Sequence, residues 1–263
     1  MINTLLVGQL TWNTPLLLLL IAIITLYFGF FIQNKQVTTS LEALFFLTGI
    51  VILYLATGSP LLTISYLSFS LHMIQMSLLF FIIPPLILLG IPYHLYNHFN
   101  KSKLIQAIGK MTIPPRLALT LFAIFLLLYH LPFVQAYISQ QPILQKCYLT
   151  LLFFLSFRML WPIASPNPAL RFSKIEMNKY VLQSGLFIMP ACLFFIIGAL
   201  FEGMSNPFLH QLATHLCMPA DANAIYLLPP PFNTKYDQAM AGLLMMALHK
   251  FGLMFTHRLE SKC

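Results

Sequence analysis

The sequence predicts an all-α fold: a polytopic membrane bundle of about seven transmembrane helices, with the N-terminus outside and the C-terminus cytoplasmic. Three observations lead there. Of 263 residues, 59% are hydrophobic and only 8% charged, and the mean hydropathy is +0.83; soluble domains carry about 25% charged residues. Apolar runs of roughly 20 residues, the length that a hydrocarbon core demands, recur along the whole chain. The basic residues gather in alternate connections. No separate soluble domain fits between the runs, so residues 1–263 form a single transmembrane domain.

The spans are expected near 13–32, 41–58, 68–90, 117–137, 143–164, 180–201 and 238–257. The first is read as a retained helix, because residues 1–12 lack a basic n-region and no small-residue cleavage site follows. The second lies beyond Lys35 and ends before Ser59-Pro60. The third has no Asp, Glu, Lys or Arg, yet carries His72, Met73, Gln75 and Met76 near its start. Pro84-Pro85 is predicted to bend it, since each proline deletes a backbone donor. The fourth follows Ile113-Pro114-Pro115 and includes His130-Leu131-Pro132. The fifth ends at Trp161-Pro162, with Arg158 near enough to its end to snorkel. Pro190 is expected to bend the sixth. The seventh starts with Asp237, an acid of the kind favoured at a helix N-terminus, and Thr234 is a candidate cap. Trp12 and Trp161 suit interfacial anchors.

The net charge of +8 does not mark a nucleic-acid binder. Lys101, Lys103, Lys110 and Arg116 lie between spans three and four; Arg171, Lys174 and Lys179 lie between five and six. Arg258 and Lys262 follow span seven, and Lys35 lies between one and two. Residues 58–67 and 138–142 contain no Lys or Arg, and 202–237 contains only Lys235. This is the positive-inside pattern, and it brings the basic loops to anionic headgroups of the lipid bilayer. The four cysteines, Cys147, Cys192, Cys217 and Cys263, form no framework. Cys147 and Cys217 share the outer side, where a disulfide would be allowed but not required.

Soft and ionisable side chains crowd towards the outer leaflet. His72 and Met76 are four apart and share one helix face. Together with Met73, His130, Met240 and Met245 they form the candidate metal-ligand set, because imidazole and thioether suit Cu(I). Ordinary packing, with His72 bonded to a neighbouring carbonyl and Met as core filler, is the competing account. His210, His215, Cys217 and Met218 match no standard zinc spacing and read as a loop. His249 and His257 are expected to face headgroups or solvent. There is no P-loop, dinucleotide fingerprint, HExxH or GxSxG, and with 6 acidic residues no paired-carboxylate site is evident. An enzyme is not indicated.

An ordered series of short motifs resembles a known family. Ser59-Pro60 precedes His72-Met73-x-Gln75, then Pro84-Pro85-Leu86 and Leu89-Gly90. His130-Leu131-Pro132, Trp161-Pro162 and Pro190-Ala191 follow, and Asp237-Gln238 precedes Ala241-Gly242 and Met245. From about residue 45 to 255 the series looks like the CtaG family of bacterial seven-helix cytochrome c oxidase assembly factors. The resemblance implies a multi-pass protein of the bacterial cell membrane. It also implies haem–copper oxidase subunits as partners, a copper chaperone as candidate donor, and Cu(I) as the bound metal. Departures accompany it. The family pattern His-Met-x-Gln-His has Met76 at its last position here. A further family His falls near Leu149, where the nearest soft ligand is Cys147. Trp-Trp-Pro is reduced to Leu160-Trp161-Pro162, and the loop before span seven carries Pro229-Pro230-Pro231. Met in place of His favours Cu(I) over Cu(II) or zinc; it equally suits a member that has lost the metal and acts as a scaffold. A haem cytochrome with His72 and His130 as axial ligands is a further alternative.

Overall fold

Six helices are long and apolar enough to cross a membrane, and a bent pair raises the number to seven. The computed structural model describes residues 12–34, 39–103, 106, 113–201, 206 and 229–260. The regular elements among them are all helical: α1 (Thr14–Asn34), α2 (Ser40–Gly58), the short α3 (Leu61–Ser65), α4 (Phe69–Ser77), a π turn (Leu78–Ile82), α5 (Ile83–Leu89), α6 (Tyr93–Asn100), α7 (Pro115–Tyr129), α8 (Pro132–Ser139), α9 (Pro142–Ala164), α10 (Lys174–Leu200) and α11 (Lys235–Glu260), with one 3₁₀ turn at Pro168–Leu170. The chain is a multi-pass membrane protein.

The helix starts are written locally. Thr39 with Glu42 and Ser173 with Glu176 form capping boxes at α2 and α10. Pro115, Pro132 and Pro142 open α7, α8 and α9, where a missing N–H costs nothing. Thr234 caps α11 as expected, its Oγ1 accepting from the Tyr236 N–H at 3.2 Å.

The third span is the axis of the bundle. Within Phe69–Leu89 the buried share is 78%, against 44% for the next most buried span and 17% for α1. A helix surrounded by neighbours needs no polar face, which explains its lack of Asp, Glu, Lys and Arg. It packs on α2, α9 and α11, while α10 and α11 run along each other. Phe80 and Phe81 meet Phe122 of α7 edge-on, with ring centroids 5.4 and 5.9 Å away.

Pro84-Pro85 changes the winding of this span instead of breaking it. The Ile83 N–H donates to Leu78 O, five residues back, so the helix widens into a π turn just before the prolines. The missing Pro85 N–H leaves the Phe81 carbonyl without its usual partner. That oxygen faces Gly252 of α11, where a Cβ would lie 2.8 Å from it. Gly252 is therefore set by close approach of two backbones.

The fourth span departs from expectation. Instead of one helix over 117–137, α7 and α8 meet at an angle of 80°. The cause is Pro132: the residue before a proline is driven out of the helical region, and Leu131 is extended (φ −68°, ψ 131°). The His130 and Leu131 N–H groups close tight turns onto Leu127 and Leu128, so α7 ends with the histidine at its tip.

At one end of the bundle Arg158 Nε donates to Ile113 O at 2.6 Å, and Tyr180 Oη donates to Met159 O at 2.7 Å. This is the basic end, with Lys174 and Lys179 at the start of α10 and Arg258 near the end of α11. The opposite end holds the start of α4, the tip of α7 and the start of α11.

Candidate functional site

The site is built from the first turn of α4. Its Ncap is Ser68, whose Oγ accepts from the Leu71 N–H at 3.2 Å. The N–H groups ahead of Leu71 are served from elsewhere in the chain. Asp237, buried at the start of α11, accepts from the Phe69 N–H at 2.9 Å, the Ser70 N–H at 3.2 Å and the Ser70 hydroxyl. The same carboxylate accepts from the Asn233 N–H at 3.0 Å. Asp237 stands in the first turn of its own helix, as the sequence reading had it, and its carboxylate also sits at the positive end of α4. Asn233, at φ 58°, donates from Nδ2 to Leu67 O at 2.7 Å, and Asn206 donates to Tyr66 O at 3.2 Å. Two segments flanking α4 and α11 are thereby clasped together.

His72 follows within one turn of this clasp and is buried. Its ring lies beside Tyr66 (centroids 5.9 Å apart) and Tyr129 (6.3 Å). Tyr129 in turn meets the His130 ring edge-on at 5.2 Å, and His130 meets Phe195 of α10 at 5.1 Å. The two imidazoles therefore flank one tyrosine, as the shared depth of spans three and four led us to expect. His130 Nδ1 lies 2.7 Å from Leu126 O. A carbonyl only accepts, so Nδ1 carries the proton and Nε2 keeps its lone pair. That Nε2 is buried and has no hydrogen-bond partner.

Met73, Met76 and Met245 are buried in the same core cluster as Tyr129 and Phe195. Met240 does not join them: it is 51% exposed, against 2% for Met245. Five residues turn a helix by about 140° from one side chain to the other, so one face cannot hold both. Gln75, between the methionines, hydrogen-bonds with the His72 side chain and also reaches across to neighbouring helices. Its Nε2 donates to Ala56 O at 2.8 Å, and its Oε1 accepts from Ser65 Oγ at 2.8 Å, tying α4 to α2 and α3.

Other expectations fare differently. His249 was assigned to headgroups or solvent; it is buried, with its ring 4.8 Å from Phe81. The π turn brings Phe81 towards α11 there, and the histidine body packs as an aromatic. Cys147, the soft residue nearest Leu149, is exposed. His210, His215, Cys217 and Met218, and with them any Cys147–Cys217 disulfide, lie outside the described residues. Sequence reasoning did not single out Tyr129, Phe195 or Asn233. Adjacency to His130 pointed to Tyr129; the other two gave no signal.

Imidazole and thioether side chains, the types found here, suit a soft monovalent ion better than a hard or highly charged one. Residues 17–256 match the family described as cytochrome c oxidase caa3 assembly factor (Caa3_CtaG). The chain belongs to this family. Comparison with curated proteins and with solved structures gave no match. As a caa3 assembly factor family member, the chain has its matched region running from within α1 to within α11. Every residue of the His72–His130 region lies inside it.

Proposed function

We propose that this assembly factor holds Cu(I) transiently in the bacterial cell membrane and passes it to a copper centre of a haem–copper oxidase. His72 and His130 supply imidazole nitrogen, and Met73, Met76 and Met245 supply thioether sulfur. The observation that carries this reading is the His130 tautomer: a buried Nε2 lone pair with no hydrogen-bond partner. Leaving such an acceptor unmatched is costly in an apolar core, and a soft cation is a natural partner for it. Neutral donors add no charge beyond that of the ion itself, and exchangeable soft ligands suit delivery better than a closed four-ligand cage. Oxidase subunits would be the recipients and a soluble copper chaperone the donor. The role is ligand exchange, with no catalytic turnover.

A cofactor-free scaffold is the second reading. The observation favouring it is that, among the described residues, no group of three or more His, Cys, Asp or Glu converges. Anaerobic Cu(I) titration of the purified full chain separates the two. Wild type should bind Cu(I) tightly, His72→Ala and His130→Ala should lose it, and Met76→Ala should weaken it less, because a neighbouring thioether can substitute. Equal, weak binding by all four proteins would leave the scaffold.

A further inference from the structure

We propose that the groove between α10 and α11 is a binding site for one anionic phospholipid, its acyl chain along the groove and its headgroup at the basic end. The groove holds about 350 Å³ and is lined on α10 by Asn178, Gly185 and Cys192, and on α11 by Met246, His249 and Lys250, with leucines between. From Asn178 to Cys192 a helix rises about 21 Å. That spans one leaflet of a hydrocarbon core about 30 Å thick and reaches the headgroup level.

Gly185 identifies what the groove is for. It lies mid-helix, where glycine costs about 1 kcal/mol relative to alanine, and a Cβ there would meet nothing within 4 Å. Among the described residues no neighbouring element needs the space. A docked helix would ask for small residues spaced four apart, but the residues four before and four after Gly185 are Val181 and Met189. A slender, conformable chain suits a single gap between larger side chains.

Charge selects the headgroup. Lys250 lines the groove and no acidic side chain does. Lys174 and Lys179 stand exposed at the start of α10. The acid nearest them, Glu176, is held in its capping box by Ser173, whose hydroxyl donates to it at 2.8 Å. A basic pocket between spans at the basic end is the arrangement that recognises anionic headgroups.

The test uses the full chain, delipidated in detergent and exchanged into bilayer nanodiscs of dioleoyl phosphatidylcholine with or without dioleoyl phosphatidylglycerol. Retained lipid is measured by mass spectrometry after repurification. Wild type should retain phosphatidylglycerol in preference to phosphatidylcholine. Gly185→Leu, which fills open space, should lose retention of both. Lys250→Gln should keep the acyl contact but reduce the preference about fivefold, the weight of one lysine near an anionic surface. A photo-crosslinking residue at Leu182 should capture lipid. Undiminished retention and preference in both variants, or crosslinks in cells that capture a polypeptide in place of lipid, would overturn the proposal. Should Gly185→Leu fail to fold, the Lys250→Gln preference and the crosslink still decide.

Discussion

Replacing Asp237 should loosen the start of α4, and the size of the effect can be worked from its four hydrogen bonds. Each carboxylate oxygen serves two donors: one takes Phe69 N–H and Asn233 N–H, the other Ser70 N–H and Ser70 Oγ–H. A hydrogen bond to a charged group is worth at least about 1.5 kcal/mol, a neutral one about 1 kcal/mol. Asp237→Ala removes all four and should cost about 6 kcal/mol. Asp237→Asn keeps one oxygen for Phe69 and Asn233, and the Ser70 hydroxyl can reverse to meet the amide. It loses the Ser70 N–H bond and weakens the other three by about 0.5 kcal/mol each, a total of about 3 kcal/mol. Reversible unfolding in mixed micelles measures both variants, and hydrogen exchange at Phe69 and Ser70 localises the change. Those two amides should exchange faster in both variants. An Asp237→Asn protein as stable as wild type, with unchanged protection at Phe69 and Ser70, would refute the argument that this carboxylate holds the His72-bearing helix.

Gly252→Ala should destabilise the bundle, because its methyl would press on the Phe81 carbonyl at 2.8 Å. Overpacking of about 1–3 kcal/mol exceeds the ~1 kcal/mol that alanine returns to a helix; a higher unfolding midpoint would count against the π-turn account. Reporter fusions after Cys263 and within 205–230 should give opposite readings, as the positive-inside pattern predicts. Matching readings would remove the seven-span topology.

Much of the architecture was legible because a bilayer imposes length and polarity on each span, and single residues mark the interruptions. All seven expected spans correspond to helical elements. The break in the fourth was also written, in Leu131-Pro132, but a hydropathy run hides a bend whose two halves are both apolar. The nearness of His72 and His130 to one tyrosine followed from depth alone. Depth does not give azimuth, however, and Met240 turned outward on that account. Asp237 was only half legible: it does stand in the first turn of its own helix, but its bonds to α4 were not foreseen. A local rule placed an acid on its own helix, while the partner that needed it lay 168 residues earlier in the chain. His249 failed for a related reason: proximity to the basic end suggested water, and packing on Phe81 decided otherwise.

That separation also orders events in time. Span three is synthesised well before its acceptor exists. At about 5–20 residues per second, the ribosome needs roughly 10–30 s to travel from Phe69 to Asp237. During that interval Ser68 is the α4 cap already available from its own stretch of chain, and the Phe69 and Ser70 amides await their carboxylate. A helix synthesised well after span three is thus the one that closes it. A nascent chain that stops short of residue 237 lacks the latch at the start of α4, so synthesis through Asp237 is itself the step that secures the His72-bearing turn.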